Sequence, residues 1–288
     1  GMAGQLEAKV VLNVPNVSFS GNFVVKINNI TAAVKQTMSV GGVSVSLDLP
    51  AGPYLRVEGT ALSLSVLGQT LRGDFAVEQL TRPDELKIVR IGVTNLSLEI
   101  GGGNPAIVTV SGGTGFFIVT PEGLAGSFSG TVGVNAGADV QFVGTFTVQI
   151  NNTVNVIAEQ MVIGSSTVSL NLPAGPYLRV SGEGIRLSVA GQTLTGNFVF
   201  EQLTKTGGEK VVRVAATNIG LSLGDGANPV LAITGGSGFL LMTSAGIAGS
   251  LSGTVALNLP GVSLSGNLGV KINNTTLAVS ESFTVGDA

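Results

Sequence analysis

The sequence predicts an all-β chain: an elongated antiparallel β-repeat array, β-solenoid-like or built of stacked two-layer hairpins, with a period of about 123 residues. Three observations predict it. Apolar and polar residues alternate through most of the 288 residues, the pattern of strands buried on one face. Whole stretches return at a fixed spacing: LPAGPYLRV at Leu49 to Val57 recurs letter for letter at Leu172 to Val180. Finally, no segment carries a convincing helical period, TAAVKQT at Thr31 to Thr37 being the one weak candidate.

The repeat accounts for the chain from end to end. GQTLRGDFAVEQLT from Gly68 returns as GQTLTGNFVFEQLT from Gly191, and GLAGSFSGTV from Gly123 as GIAGSLSGTV from Gly246. The opening segment occurs three times, as VSFSGNFVVKINN from Val17, VQFVGTFTVQINN from Val140 and VSLSGNLGVKINN from Val262. The chain therefore divides into a partial repeat, 1–40, and two repeats, 41–163 and 164–286. No Pro/Ser-rich linker separates them, so one continuous structure is expected rather than a separate sandwich or barrel per period.

Within each period the spacing of turn signals implies about ten short strands. Glycines at 21, 73, 126, 144, 196, 249 and 266 each sit inside an alternating run beside a Phe or Leu. Glycine weakens a strand unless it permits a bulge or close packing, so these are expected to be structural. Gly68-Gln69 and Gly191-Gln192 fit two-residue hairpin turns. The Pro-Ala-Gly-Pro corners at Pro50–Pro53 and Pro173–Pro176 end one strand and aim the next, because proline cannot donate to a central ladder.

Composition excludes several classes. Charged residues are 11% against a usual share of about 25%. The 14 basic residues are scattered singly under a net charge of −3, which gives nucleic acid no patch to bind. There is no cysteine, so disulfides and thiolate metal sites are absent, and no histidine for Ser-His or Cys-His chemistry. No apolar stretch is long enough for a membrane helix. A transmembrane barrel is disfavoured by the lack of Trp and the presence of two Tyr, since such barrels carry aromatic girdles.

The remaining candidates for chemistry are few. Glu58, Asp74 and Glu78 lie close in one hairpin, but the second repeat has Ser181 and Asn197 in place of Glu58 and Asp74, so only Glu78 and Glu201 recur. Catalytic residues, a cofactor and a metal site are accordingly not expected. Arg56 with Glu78, and Arg179 with Glu201, fit cross-strand ion pairs on an exposed face. Glycine-rich GGGNP at Gly101 and GDGANP at Gly224 read as turns. The NN pairs at Asn28, Asn151 and Asn273 read as turn residues at strand ends. Tyr54 and Tyr177 follow the proline corners. Each can anchor its corner, or offer a ring to a glycan, and they are the candidate ligand-binding residues.

In its 123-residue period, its Gly/Ser/Thr/Val/Asn-rich strands and its lack of cysteine, the chain resembles the repeat segments of very large bacterial secreted or surface proteins of the adhesin type. That resemblance implies a structural or adhesive module of a larger extracellular protein. The alternative is a carbohydrate- or lipid-binding β module. The expected partners are neighbouring repeats or end-to-end copies, with glycan or lipid as further candidates and no nucleic acid. No charged and apolar leader follows Gly1-Met2, so a location outside the cell or at its surface is inferred from architecture alone.

Overall fold

The computed structural model describes residues 1–82, 86–101, 106–137, 140–205, 207–224, 229–276, 278–283 and 285. The strands follow the alternation. In chain order they are β1 (Ala3–Val14), β2 (Val17–Asn28), β3 (Val34–Val40), β4 (Val43–Leu49), β5 (Tyr54–Val66), β6 (Gln69–Thr81), β7 (Lys87–Ile100), β8 (Val108–Thr120) and β9 (Gly123–Asn135). They continue with β10 (Val140–Asn151), β11 (Ile157–Ile163), β12 (Ser166–Leu172), β13 (Tyr177–Val189), β14 (Gln192–Thr204), β15 (Lys210–Gly224), β16 (Pro229–Thr243), β17 (Gly246–Leu259) and β18 (Val262–Asn273). No helix occurs among the described residues, and Thr31–Thr37 leads into β3. The interiors of GGGNP and GDGANP lie outside the described residues.

Fourteen of these strands make a single antiparallel sheet in the order β1-β2-β5-β6-β7-β8-β9-β10-β13-β14-β15-β16-β17-β18, which does not close into a barrel. The other four form two short hairpins, β3–β4 and β11–β12, inserted between β2 and β5 and between β10 and β13. Strands are fewer and longer than the turn signals suggested, because bulges carry them through positions where a turn was counted. In β5, β7, β8, β13, β15 and β16 the register shifts around a left-handed residue: Ala61, Asn95, Gly112, Gly184, Asn218 and Gly235, with φ between 50° and 62°. The extra residue lets Gly59 and Leu62, or Gly182 and Ile185, face the same side.

Five of the six left-handed positions hold Gly or Asn, which tolerate that backbone; Ala61 does not. Its amide is held by Asp74 Oδ1 at 2.6 Å, as that of Gly184 is held by Asn197 Oδ1 at 2.8 Å. Asp74 also accepts from Asn95 Nδ2 at 2.7 Å, so this acid caps bulges. Ala61→Gly is expected to raise stability by about 1 kcal/mol, and Gly184→Ala to lower it by a similar amount, read by chemical denaturation.

The hairpin turns sit one residue earlier than the sequence suggested. Leu67-Gly68 and Ala190-Gly191 are the central pairs, with φ of 51° and 81° and of 48° and 81°. Both residues of such a turn take positive φ, which matches the twist of the flanking strands. Of the glycines in the repeated Gly-x-Phe/Leu pattern, Gly21, Gly126 and Gly144 lie under a Leu, Phe or Ile side chain that a Cβ would strike, whereas Gly266 has nothing within 4 Å.

The two faces of the sheet differ. One face carries cross-strand neighbours such as Val57, Val77, Ile91 and Phe117 in a row, and it is left open. The other carries Ser, Thr, Asn and nearly all the acids and arginines, and the short hairpins fold onto it; we call it the strap face. Total accessible surface is 16543 Å², whereas a compact monomer of this mass would expose about 11,400 Å². The excess is the open apolar face together with β1, β18 and β3–β4, whose side chains lack a second layer.

Candidate module-docking site

The core of the molecule lies under β11–β12. Two corners place this hairpin. The buried Asn151 side chain ties its two roots together, donating from Nδ2 to Asn155 O at 2.8 Å and Pro173 O at 2.7 Å, and accepting at Oδ1 from Thr153 N at 2.9 Å and Thr153 Oγ1 at 2.8 Å. Asn28 repeats this at β3–β4, donating to Ala32 O at 3.0 Å and Pro50 O at 2.6 Å and accepting from Ile30 N at 2.8 Å. These asparagines are keystones rather than surface turn residues, and each is 0% exposed. At the return corner the Gly175–Pro176 peptide is cis, as is Gly52–Pro53. A Cβ on Gly175 would collide with the Asn151 carbonyl oxygen, so only glycine fits there.

Held this way, β11–β12 folds back over β6 to β9. Ile157, Met161 and Ile163 of β11 and Val168, Leu170 and Leu172 of β12 pack on Ala76, Ile88, Phe116, Ile118 and Ala125. The alternation of period two in the two seven-residue strands of the hairpin is enough to present one apolar face to the sheet. Gly92 makes room directly beneath, where a Cβ would meet Ile163 and Met161.

Around this core, charge clamps the hairpin. Arg56 stands opposite Glu78 in the β5–β6 register and pairs with it at 3.4 Å and with Glu58 at 2.7 Å. The pair is not on an exposed face as the sequence suggested: both side chains are 11% exposed, because β11 covers them. Arg56 donates to Val162 O, Glu58 Oε1 accepts from Gly164 N at 2.6 Å, and Arg90 donates to Gln160 O at 3.1 Å. From the hairpin, Glu159 pairs with Arg82 and, at 3.6 Å, with Arg90. Every acid in the clamp faces a guanidinium, so its chemistry is that of a fastener. Burial lowers the Arg56 pKa, but the hydrogen bond and charge of Glu58, followed by Glu78, outweigh it and leave the group above its ordinary value.

A second clamp forms farther along. Counted from the paired asparagines, Val279, Glu281 and Phe283 stand where Ile157, Glu159 and Met161 stand. Glu281 pairs with Lys205 at 2.7 Å and Arg213 at 3.1 Å, and Arg213 and Arg179 both reach Glu201. The Phe283 ring receives the guanidiniums of Arg179 and Arg213 at 5.3 and 5.8 Å from its centroid. The hydrogen bond from Lys205 holds the Glu281 carboxyl below its usual range, against the opposing effect of burial. Arg82, Arg90 and Glu159 went unnoticed in the sequence. The recurrence of Arg90 as Arg213 was the available signal, but alternation alone does not say which strand lies above another.

Tyr54 and Tyr177 open β5 and β13 beneath these clamps. Both are buried, at 6% and 7% exposed, and each hydroxyl donates to a clamp acid, Tyr54 to Glu78 at 2.9 Å and Tyr177 to Glu201 at 3.3 Å. Stacking of either ring on a glycan would require the corner to open. Burial, then the charge of Glu201, pushes the Tyr177 phenol up to about 12; burial and Glu78 push Tyr54 higher still. These are the chain's two tyrosines and it has no tryptophan, so ultraviolet titration reads them directly. Ionisation is expected to be absent near pH 10 in the folded protein and to appear there once it is unfolded. Because the folded pKa lies above the unfolded one, this stabilisation is complete below pH 10 and declines above it.

Comparison with protein-family models, with curated proteins and with solved structures found no match.

Proposed function

We propose that the chain is a structural or adhesive repeat module of a larger extracellular bacterial protein, without catalysis, in which a unit of about 123 residues extends one sheet and straps itself to the unit before it. The observation that carries this reading is the β11–β12 hairpin. It spans the boundary between 41–163 and 164–286, yet it packs on β6 to β9 and is clamped there by Glu159. The segment ending in Glu281 and Phe283 begins the same arrangement over the next stretch of sheet. A fastener that recurs between units resists sliding and bending, which is what a stalk or spacer requires.

Small-angle scattering tests the shape. The radius of gyration is expected well above the value of about 19 Å for a compact chain of this length; a value near 19 Å rejects the extended array.

A second reading, as a lipid-binding module, is favoured by one observation. The open face of β15 to β18 holds a cavity of about 360 Å³ lined by Val214, Leu240, Leu251, Val270 and Ile272. Contiguous apolar patches larger than about 300–600 Å² are unusual on soluble monomers. Saturable uptake of a fluorescent fatty acid would favour this reading over the purely structural one.

A further inference from the structure

We infer that the open face of the second repeat binds a fatty acid, its hydrocarbon chain lying in the cavity over β15 to β18 and its carboxylate reaching Lys210. The inference rests on the lipid-binding reading and gives it a site and a ligand class.

The argument starts from a comparison that the chain makes with itself. In the first repeat Ile91 and Val93 of β7, Phe117 of β8 and Phe128 of β9 are neighbours on the open face, with Gly115 and Gly126 between them in the register. The Phe117 ring lies over Gly126, where a Cβ would strike it, and the Phe128 ring lies over Gly115 in the same way. Each of these glycines is roofed by an aromatic ring from the neighbouring strand, so the face is filled there.

The second repeat keeps the frame and shrinks the filling. Gly115 and Gly126 recur as Gly238 and Gly249, and Val148 and Ile150 of β10 recur as Val270 and Ile272 of β18. Ile91, Val93, Phe117 and Phe128 are instead Val214, Ala216, Leu240 and Leu251, and all four replacements are smaller. The cavity of about 360 Å³ lies where these four side chains meet. Its cause is therefore on β15, β16 and β17, each of which is paired on both sides within the sheet.

Size and polarity then choose the ligand. An apolar cavity of about 150 Å³ takes up benzene, so 360 Å³ accommodates a longer hydrocarbon. The lining offers almost no polar atom, which leaves any head group to be held outside it. Along β15 the alternation places Lys210, Val212 and Val214 on one face, and Lys210 is exposed at the start of the strand. At about 3.4 Å per residue it stands about 13 Å from Val214. Val212 lies between, with Gln202 and Met242 as its cross-strand neighbours. A chain extended from the cavity over Val212 keeps apolar contact along its length and brings an anionic end to the Lys210 ammonium.

The test is a titration of the intact chain with cis-parinaric acid, a straight-chain fatty acid whose fluorescence rises when it leaves water. Saturation at one molecule per chain is expected. Leu240→Phe with Leu251→Phe gives the second repeat the rings of the first and is expected to weaken binding at least tenfold. The reverse exchange, Val93→Ala with Phe117→Leu and Phe128→Leu, is expected to raise the stoichiometry to two, a gain that misfolding cannot imitate. Lys210→Gln is expected to weaken binding of the acid at least threefold and to leave its methyl ester unchanged; equal losses for acid and ester overturn the placement of the carboxylate. Undiminished binding by the ring-filled variant, or a stoichiometry that stays at one after the reverse exchange, overturns the site and leaves the lipid-binding reading standing. No binding by the unsubstituted protein overturns both.

Discussion

Met161→Ala is expected to cost about 2–5 kcal/mol of stability, the range for large-to-small changes in a core. Met38→Ala, the same substitution at the equivalent position one repeat earlier, is expected to change stability by less than about 0.5 kcal/mol in dilute solution. The contrast follows from exposure, 3% against 67%. Met161 is packed between β11 and the strands beneath it, above Gly92, and nothing can collapse into the space it leaves without moving the hairpin. Met38 has no such cover. Urea denaturation of both variants, with the slope as a check that the transition stays two-state, makes the measurement. Equal losses would mean that β3–β4 is covered by its own chain; equal neutrality would mean that β11–β12 is not a fastener, and the strapped-module reading would fail.

The same pair of methionines shows how far the sequence could be read. Alternation located most strands, and the repeated LPAGPYLRV located the corners, because both signals are local: a proline pair and a period of two act within a few residues. The continuity of the sheet was legible for a similar reason, since no linker interrupts the pattern. The role of the hairpins was not. Residues 34–49 and 157–172 have the same pattern, yet the second is core and the first, apart from Leu49 at its root, is surface, and that difference lies in what stands four strands away. Asp74 was read as a candidate acid and proves to hold the amide of Ala61, which required knowing that a bulge sits opposite it. Arg56 and Glu78 were correctly paired by register but misplaced on an exposed face, because register says nothing about which face another layer covers.

Asn151→Ala should be among the most damaging single changes in the chain. Four hydrogen bonds converge on this side chain, three of them from backbone groups at the two roots of the strap. Removing it leaves the carbonyl of Pro173 and the amide of Thr153 without that partner in a site that is 0% exposed, while the Asn155 carbonyl keeps only the 3.2 Å bond from Thr153 Oγ1. Each such group costs about 1–3 kcal/mol when left unpaired, so a loss of about 3–5 kcal/mol is expected after partial rescue by water. Asn28→Ala removes the matching bonds at β3–β4, and there the loss should stay local, because that hairpin carries little of the core. Asn151→Asp separates hydrogen bonding from shape. The carboxylate keeps the two acceptor contacts but turns negative oxygens toward the carbonyls of Asn155 and Pro173, which raises its pKa above that of a free aspartate. A raised folded pKa means stability that is present when the group is protonated and lost as pH rises through it. Thermal unfolding of Asn151→Asp should therefore improve relative to Asn151→Ala as pH is lowered toward the carboxyl range, when the protonated acid can donate to one of the two carbonyls. Parallel pH profiles for the two variants would show that Asn151 fills space rather than joining the strap's roots by its hydrogen bonds.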